Sequence, residues 1–157
     1  MLSDLFGGIS PPDIGQVFSQ LEASTSYEQF SSIVKQELGS SGLMRFWQLN
    51  LDAALSRDPQ ATSQAGRRLV RLIAGNPVTM GEMTRHVADA GSYAPVTVLI
   101  EEMPGGGIRV AYDTVTSALG PYHNGAALEV AQPLDTEVLG LLHQVTGSPP
   151  AAAASRT

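Results

Sequence analysis

The run RRLVRLIAGNPVTMGEMTRHVADAGSYAPVTVLIEEMPGGGIRVAYD, residues 67–113, decides the fold. Its opening, residues 67–74, is rich in β-branched and apolar residues and reads as a strand. Gly75-Asn76-Pro77 stops it. Pro77 has no N–H to give a ladder, and it holds Asn76 out of the helical region, so a strand ends here and a helix can start. Residues 78–89 supply that helix, with Met80, Met83 and Val87 along one side. Ala90-Gly91 ends it. Residues 96–103 are again β-rich, Pro104-Gly105-Gly106-Gly107 turns the chain, and residues 108–113 return. That pattern is a hairpin with a glycine-bearing loop.

Upstream of this run, residues 43–51 (LMRFWQLNL) read as a strand. Strict alternation puts Met44, Phe46, Gln48 and Asn50 on one face and Leu43, Arg45, Trp47, Leu49 and Leu51 on the other. Both faces are partly apolar, so the second face needs a cover, and a homodimer would supply one. Further upstream, Ser26 is placed as an N-cap. Tyr27, Phe30, Ile33, Val34 and Leu38 then follow at helical spacing up to Gly39. Residues 15–23 fit either a helix turn or an alternating strand, and are read here as a first strand. Downstream, short helices are expected at 114–119, at 126–131 and from Asp135 to Val145, the last capped by Asp135.

The expected architecture is α+β: a largely antiparallel sheet with helices packed on one face, in the order β-α-β-β-α-β-β plus C-terminal helices. Strands do not alternate strictly with helices, which argues against a doubly wound parallel sheet. Residues 1–146 form a single domain in this reading. Residues 1–12 are an N-terminal arm with Leu2, Leu5 and Phe6 as docking points. Residues 147–157 (GSPPAAAASRT, from Gly147) are a flexible tail.

The chain has no cysteine, which excludes thiolate metal sites and thiol chemistry. Nine Lys+Arg against fifteen Asp+Glu give a net charge of −6. Nucleic-acid affinity comes largely from phosphate neutralisation, so no nucleic-acid partner is expected. The only basic cluster, Arg67, Arg68 and Arg71, reads as a solvated strand entry. No stretch approaches the ~20 apolar residues of a membrane helix, so no membrane association is expected either. Residues 1–12 lack the basic start and apolar run of a secretory signal, and a cytoplasmic location is expected.

Few side chains point to chemistry. Gly105-Gly106-Gly107 joins two strands rather than feeding a helix, so it is not a phosphate cradle. His86, His123 and His143 fall on three different elements. Glu82 and His86, one helical turn apart, read as a surface pair, and no metal site or cofactor is expected. Glu101 and Glu102 on the hairpin point to opposite faces, and one of them reads as a cross-strand ion-pair partner of Arg109. The weak catalytic candidates are Glu101, Tyr112 and His86, titratable groups able to move a proton. The candidate ligand-binding residues are Asn76, Tyr93, Trp47 and Met83. Trp47, with Met44 and Phe46, reads by default as core or interface packing.

The block from Gly75 onward also resembles a known family, the domain of unknown function 302. Gly75-Asn76-Pro77, then Met80 and Met83, match its first half. The run from Asp89 to Leu99 (DAGSYAPVTVL) matches almost letter for letter, and Tyr112-Asp113 match the hairpin's end. Ser41 to Met44 with Phe46, and Pro121-Tyr122 and Leu134-Asp135, extend the likeness over residues 30–142. The resemblance implies a compact α+β domain shaped like the TATA-binding-protein fold, often dimeric, and carries no activity with it. Family members commonly place Asp-His-Gly where this chain has Asn50, Leu51 and Asp52. An acid/base or metal role for that pair in relatives would therefore not transfer.

The functional expectation is an uncharacterised cytosolic homodimer that binds a small apolar or mixed ligand between sheet and helices. One alternative is a cofactor-independent enzyme of cyclase or isomerase type in a bacterial secondary pathway. Another is a protein–protein adaptor. The Ala-, Gly- and Pro-rich composition points to a high-GC bacterium.

Overall fold

The computed structural model describes residues 7–61 and 66–147. Strands β1 (Ile9–Ser10), β2 (Leu43–Asn50), β3 (Leu69–Gly75), β4 (Val96–Glu102) and β5 (Ile108–Tyr112) form one sheet in sequence order. β1 runs parallel to β2, and every other pairing is antiparallel. The helices are α1 (Ile14–Ala23), α2 (Tyr27–Glu37), α3 (Asp52–Leu55), α4 (Pro77–His86), α5 (Val115–Leu119) and α6 (Gly125–Thr146). The expected α+β class therefore holds, but two helices precede β2, a short one separates β2 from β3, and the helices pack on both faces rather than one.

Its first strand lies elsewhere than expected. Residues 15–23 are not a strand but the body of α1. Asp13 caps this helix by accepting from the Gln16 N–H at 3.0 Å, and Val17 and Leu21, four residues apart, are its buried positions. The sheet edge that a strand there would have filled is taken by Ile9 and Ser10, part of the expected arm. Ile9 is buried. Gly8 accepts from the Ser41 amide at 2.9 Å and from its hydroxyl at 2.5 Å, and Ser10 donates to the Glu37 carbonyl. The docking points Leu2, Leu5 and Phe6, and the tail after Gly147, lie outside the described residues.

Register fixes what each face carries. Val70, Leu72 and Ala74 of β3 lie beside Ile100, Val98 and Val96 of β4. These six are buried, and with Val110 and Tyr112 of β5 they face the core made with α4, α5 and α6. The other face carries Leu69, Arg71 and Ile73, then Glu101, Leu99 and Thr97, then Arg109 and Ala111. A bulge between Arg45 and Trp47 breaks the alternation of β2. Met44 pairs with Gly75 and Trp47 with Ile73, so both belong to this second face. The strict-alternation assignment of Trp47 to the side of Leu43 is thereby corrected. α1 and α2 cover the Met44 end of the second face, where Val17, Leu21, Val34 and Met44 form a separate small core. Among the described residues nothing covers the rest of that face, and Trp47 is 55% exposed there.

The two C-terminal helices expected at 126–131 and 135–145 are one helix of 22 residues. Asn124 caps it, and Pro133 lies exposed inside it. Asp135 does not start a helix. It is turned inward, 5% exposed, and caps α5 from outside. Its Oδ1 accepts from the Val115 N–H at 2.9 Å and from the Tyr112 hydroxyl at 2.5 Å. Its Oδ2 accepts from the Thr116 N–H at 2.9 Å and hydroxyl at 2.7 Å. One carboxylate thus satisfies the orphan donors of a helix start and a buried phenol.

Candidate functional site

The α1–α2 hairpin and α4 stand as two walls of a groove. Asn76 sets the second wall: its Oδ1 accepts from the Val78 N–H at 3.0 Å, and its Nδ2 donates to the Gly42 carbonyl at 3.4 Å. With Pro77 at the first helical position, this fixes where α4 begins and how it is tied to β2. One cleft of about 620 Å³ is lined by Ser24, Ser26, Tyr27, Phe30, Val78 and Glu82, among others. A second, of about 440 Å³, is lined by Phe18, Leu21, Glu22, Met80 and Thr84. Phe30, Pro77 and Gly81 line both, so the clefts adjoin.

The lining of both clefts is mainly apolar, with Ser24, Thr25, Ser26, Glu82 and Arg85 among its polar groups. Tyr27 is 66% exposed. Phe18 leans on Phe46, with ring centroids 5.7 Å apart. Gly81 is the wall between the two clefts, and a Cβ built there meets nothing within 4 Å. Such a groove has the make-up of a small-molecule site: apolar walls with a few polar groups.

A third cleft, about 650 Å³, is polar and lies between the β1–β2 side and α6. Ser40, Ser41, Gly42, Glu137 and Gln144 line it. Burial pushes the Glu137 carboxyl above its ordinary range.

The residues singled out from sequence are not gathered in any of these three clefts. Met83 is fully enclosed in the main core, on the side of α4 away from the groove. Asn76 is a helix cap. Tyr93 meets Tyr122 through their hydroxyls at 3.3 Å, and Tyr122 donates to Asp89 at 2.9 Å. The hydrogen bonds to Tyr93 and to Asp89 raise the Tyr122 phenol above its ordinary range. Trp47 stands on the open sheet face.

Of the three catalytic candidates, Glu101 receives Arg67 at 2.8 Å and Arg109 at 2.7 Å, the ion pair expected across the hairpin. Tyr112 is held by Asp135, and burial, followed by that hydrogen bond, raises its phenol well above the usual range. His86 is exposed and touches the Arg85 guanidinium at 3.5 Å. Each is engaged in a separate place. Among the described residues no group of three or more His, Asp or Glu side chains is placed to hold a metal ion. No helix among them is long and apolar enough to cross a membrane.

Sequence reasoning missed the groove because its residues come from two distant segments, around 18–30 and 77–85. The signal that was present is Gly81. A glycine in mid-helix costs about 1 kcal/mol against alanine, so its place on an exposed face is unexplained by the helix itself.

The position of Asn50 and Asp52, where relatives carry Asp and Gly, lies at the far end of β2. Asn50 is exposed and accepts weakly from Gln48 at 3.4 Å. The Asp52 Oδ1 is buried without a hydrogen-bond partner among the described residues.

Comparison with solved structures finds the uncharacterised conserved DUF302 protein of Bacillus stearothermophilus. Its TM-score is 0.55 at 17% identity, covering 86% of this chain and 92% of that one, which is a likeness of fold. No curated protein matches the chain. The model of the domain of unknown function DUF302 matches residues 19–145, so the chain belongs to that family.

Proposed function

We propose that this domain binds a small apolar or mixed ligand in the groove between the α1–α2 hairpin and α4. The observation that carries this reading is the pair of adjoining, mainly apolar clefts that share Phe30, Pro77 and Gly81, with Ser24, Thr25, Ser26, Glu82 and Arg85 as polar groups. Phe18 and Tyr27 stand exposed along these clefts. The test is binding of the neutral fluorophore Nile red to the wild-type chain and to Gly81→Leu. Leucine grows into open space, fills the shared wall and favours the helix. The reading expects saturable fluorescence for the wild type and its loss in a variant that is at least as stable. Equal fluorescence in both would refute it.

The same proposal includes a homodimer, supported by the open half of the second sheet face. Trp47, Leu49, Leu69, Ile73 and Leu99 lie there side by side in register. Four strands at ~4.8 Å spacing make a face on the order of 20 Å across. That is small for a stable interface, so micromolar rather than nanomolar association is the expectation. The enzyme reading gains no support, because Glu101, Tyr112 and His86 serve three separate contacts.

A further inference from the structure

The groove's charges select among mixed ligands. Three ionisable side chains border the two clefts: Glu22, Glu82 and Arg85. Glu22 and Arg85 are exposed, while Glu82 is half-buried. Glu82 and Arg85 share a helix face three residues apart, yet no ion pair joins them, and the Arg85 guanidinium contacts the His86 ring instead. Glu82 makes no hydrogen bond or ion pair with any described residue. It stands in the cleft that also holds the Tyr27 and Phe30 rings. The groove thus has two carboxylates against one guanidinium, in a chain of net charge −6.

An anionic head group entering here would find one guanidinium, already in contact with His86, against two carboxylates. A cation would gain the Glu82 carboxylate in a cleft that two aromatic rings also line. We infer that the ligand class is a cationic amphiphile: an apolar body in the Phe18–Met80 cleft and a protonated or quaternary amine at Glu82. This rests on the groove being a ligand site, and the experiment separates the two claims.

Three probes of one chain length are titrated into the full chain at pH 7 by calorimetry: n-decylamine, n-decanol and decanoate. Wild type, Gly81→Leu and Glu82→Gln are compared, with folding checked by circular dichroism. Decylamine is expected to bind about tenfold tighter than decanol, and decanoate weakest. The preference should shrink as salt is raised, because a half-exposed charge is screened. Glu82→Gln should bring decylamine to the level of decanol. Gly81→Leu should weaken all three.

Equal binding of amine and alcohol by the wild type, or a preference that survives both salt and Glu82→Gln, overturns the charge inference while the groove stands. Binding of no probe, or binding that Gly81→Leu does not touch, overturns both. The salt series on the wild type decides the matter even if a variant fails to fold.

Discussion

Gly75 shows what a single residue in the Gly-Asn-Pro motif does. A Cβ built there would lie 2.9 Å from the Phe46 ring and 3.2 Å from the Pro95 Cα. The ring could shift, but the Pro95 backbone is held by β4. Gly75→Ala is therefore expected to destabilise by ~1–3 kcal/mol, read as a lower urea midpoint. Asp135 is the second decisive residue. Replacing it with alanine leaves two amides and a phenol without their acceptor, and should cost ~2–4 kcal/mol in the same assay.

Its partner Tyr112 gives a pH signature. The folded phenol is raised by burial, then by the Asp135 hydrogen bond, whereas the unfolded phenol ionises near 10. Below about pH 10 both states are neutral and the contribution is complete. Above it the unfolded state loses its proton first, so stability falls as pH rises. Tyr112→Phe should flatten that alkaline decline in urea titrations. A decline of unchanged slope would count against the buried-phenol assignment.

At the scale of elements, α6 and α1 show where pattern reading stops. Residues 126–145 look like two helices because Pro133 and Asp135 are usual boundary residues. Tertiary context overrides both: Asp135 is bound to α5, and Pro133 faces solvent. Removing the proline restores a helical N–H, so Pro133→Ala should stabilise by about 1 kcal/mol or more, seen as a raised Tm. For α1, the alternation of Val17, Ser19 and Leu21 fits a strand as well as Val17 and Leu21 fit a helix. Asp13 following Pro12 was the deciding signal, since a cap fixes the start of a helix while no cap starts a strand.

The hairpin was legible for the opposite reason. Gly105, Gly106 and Gly107 all have φ near +90°, a conformation other residues avoid, and that demand is written in the sequence. An ion pair of a hairpin glutamate with Arg109 was legible too, and the register makes that glutamate Glu101.

For the whole molecule, β3, α4 and the β4–β5 hairpin followed from the run at residues 67–113. The site did not. Titratable and aromatic residues attract notice in a sequence, yet Met83, Tyr112 and Glu101 serve packing, a buried cap and an ion pair. The groove arises where the α1–α2 hairpin meets α4, and long-range juxtaposition leaves no mark in local spacing. The bulge at β2 likewise moved Trp47 to the open face, a shift that strict alternation cannot show. Sedimentation at micromolar concentration should show a species of about twice 16.5 kDa, reverting to monomer in Leu99→Glu. A single species of 16.5 kDa at all concentrations would end the dimer proposal.

The groove itself is tested most directly by methyl NMR during a decanol titration. Saturable shifts are predicted at the Leu21, Val78 and Met80 methyls, absent in Gly81→Leu, with Leu72 and Val98 in the main core unmoved. Shifts centred on Leu72 and Val98, or none at Val78 and Met80, would contradict the assignment of this groove as the binding site.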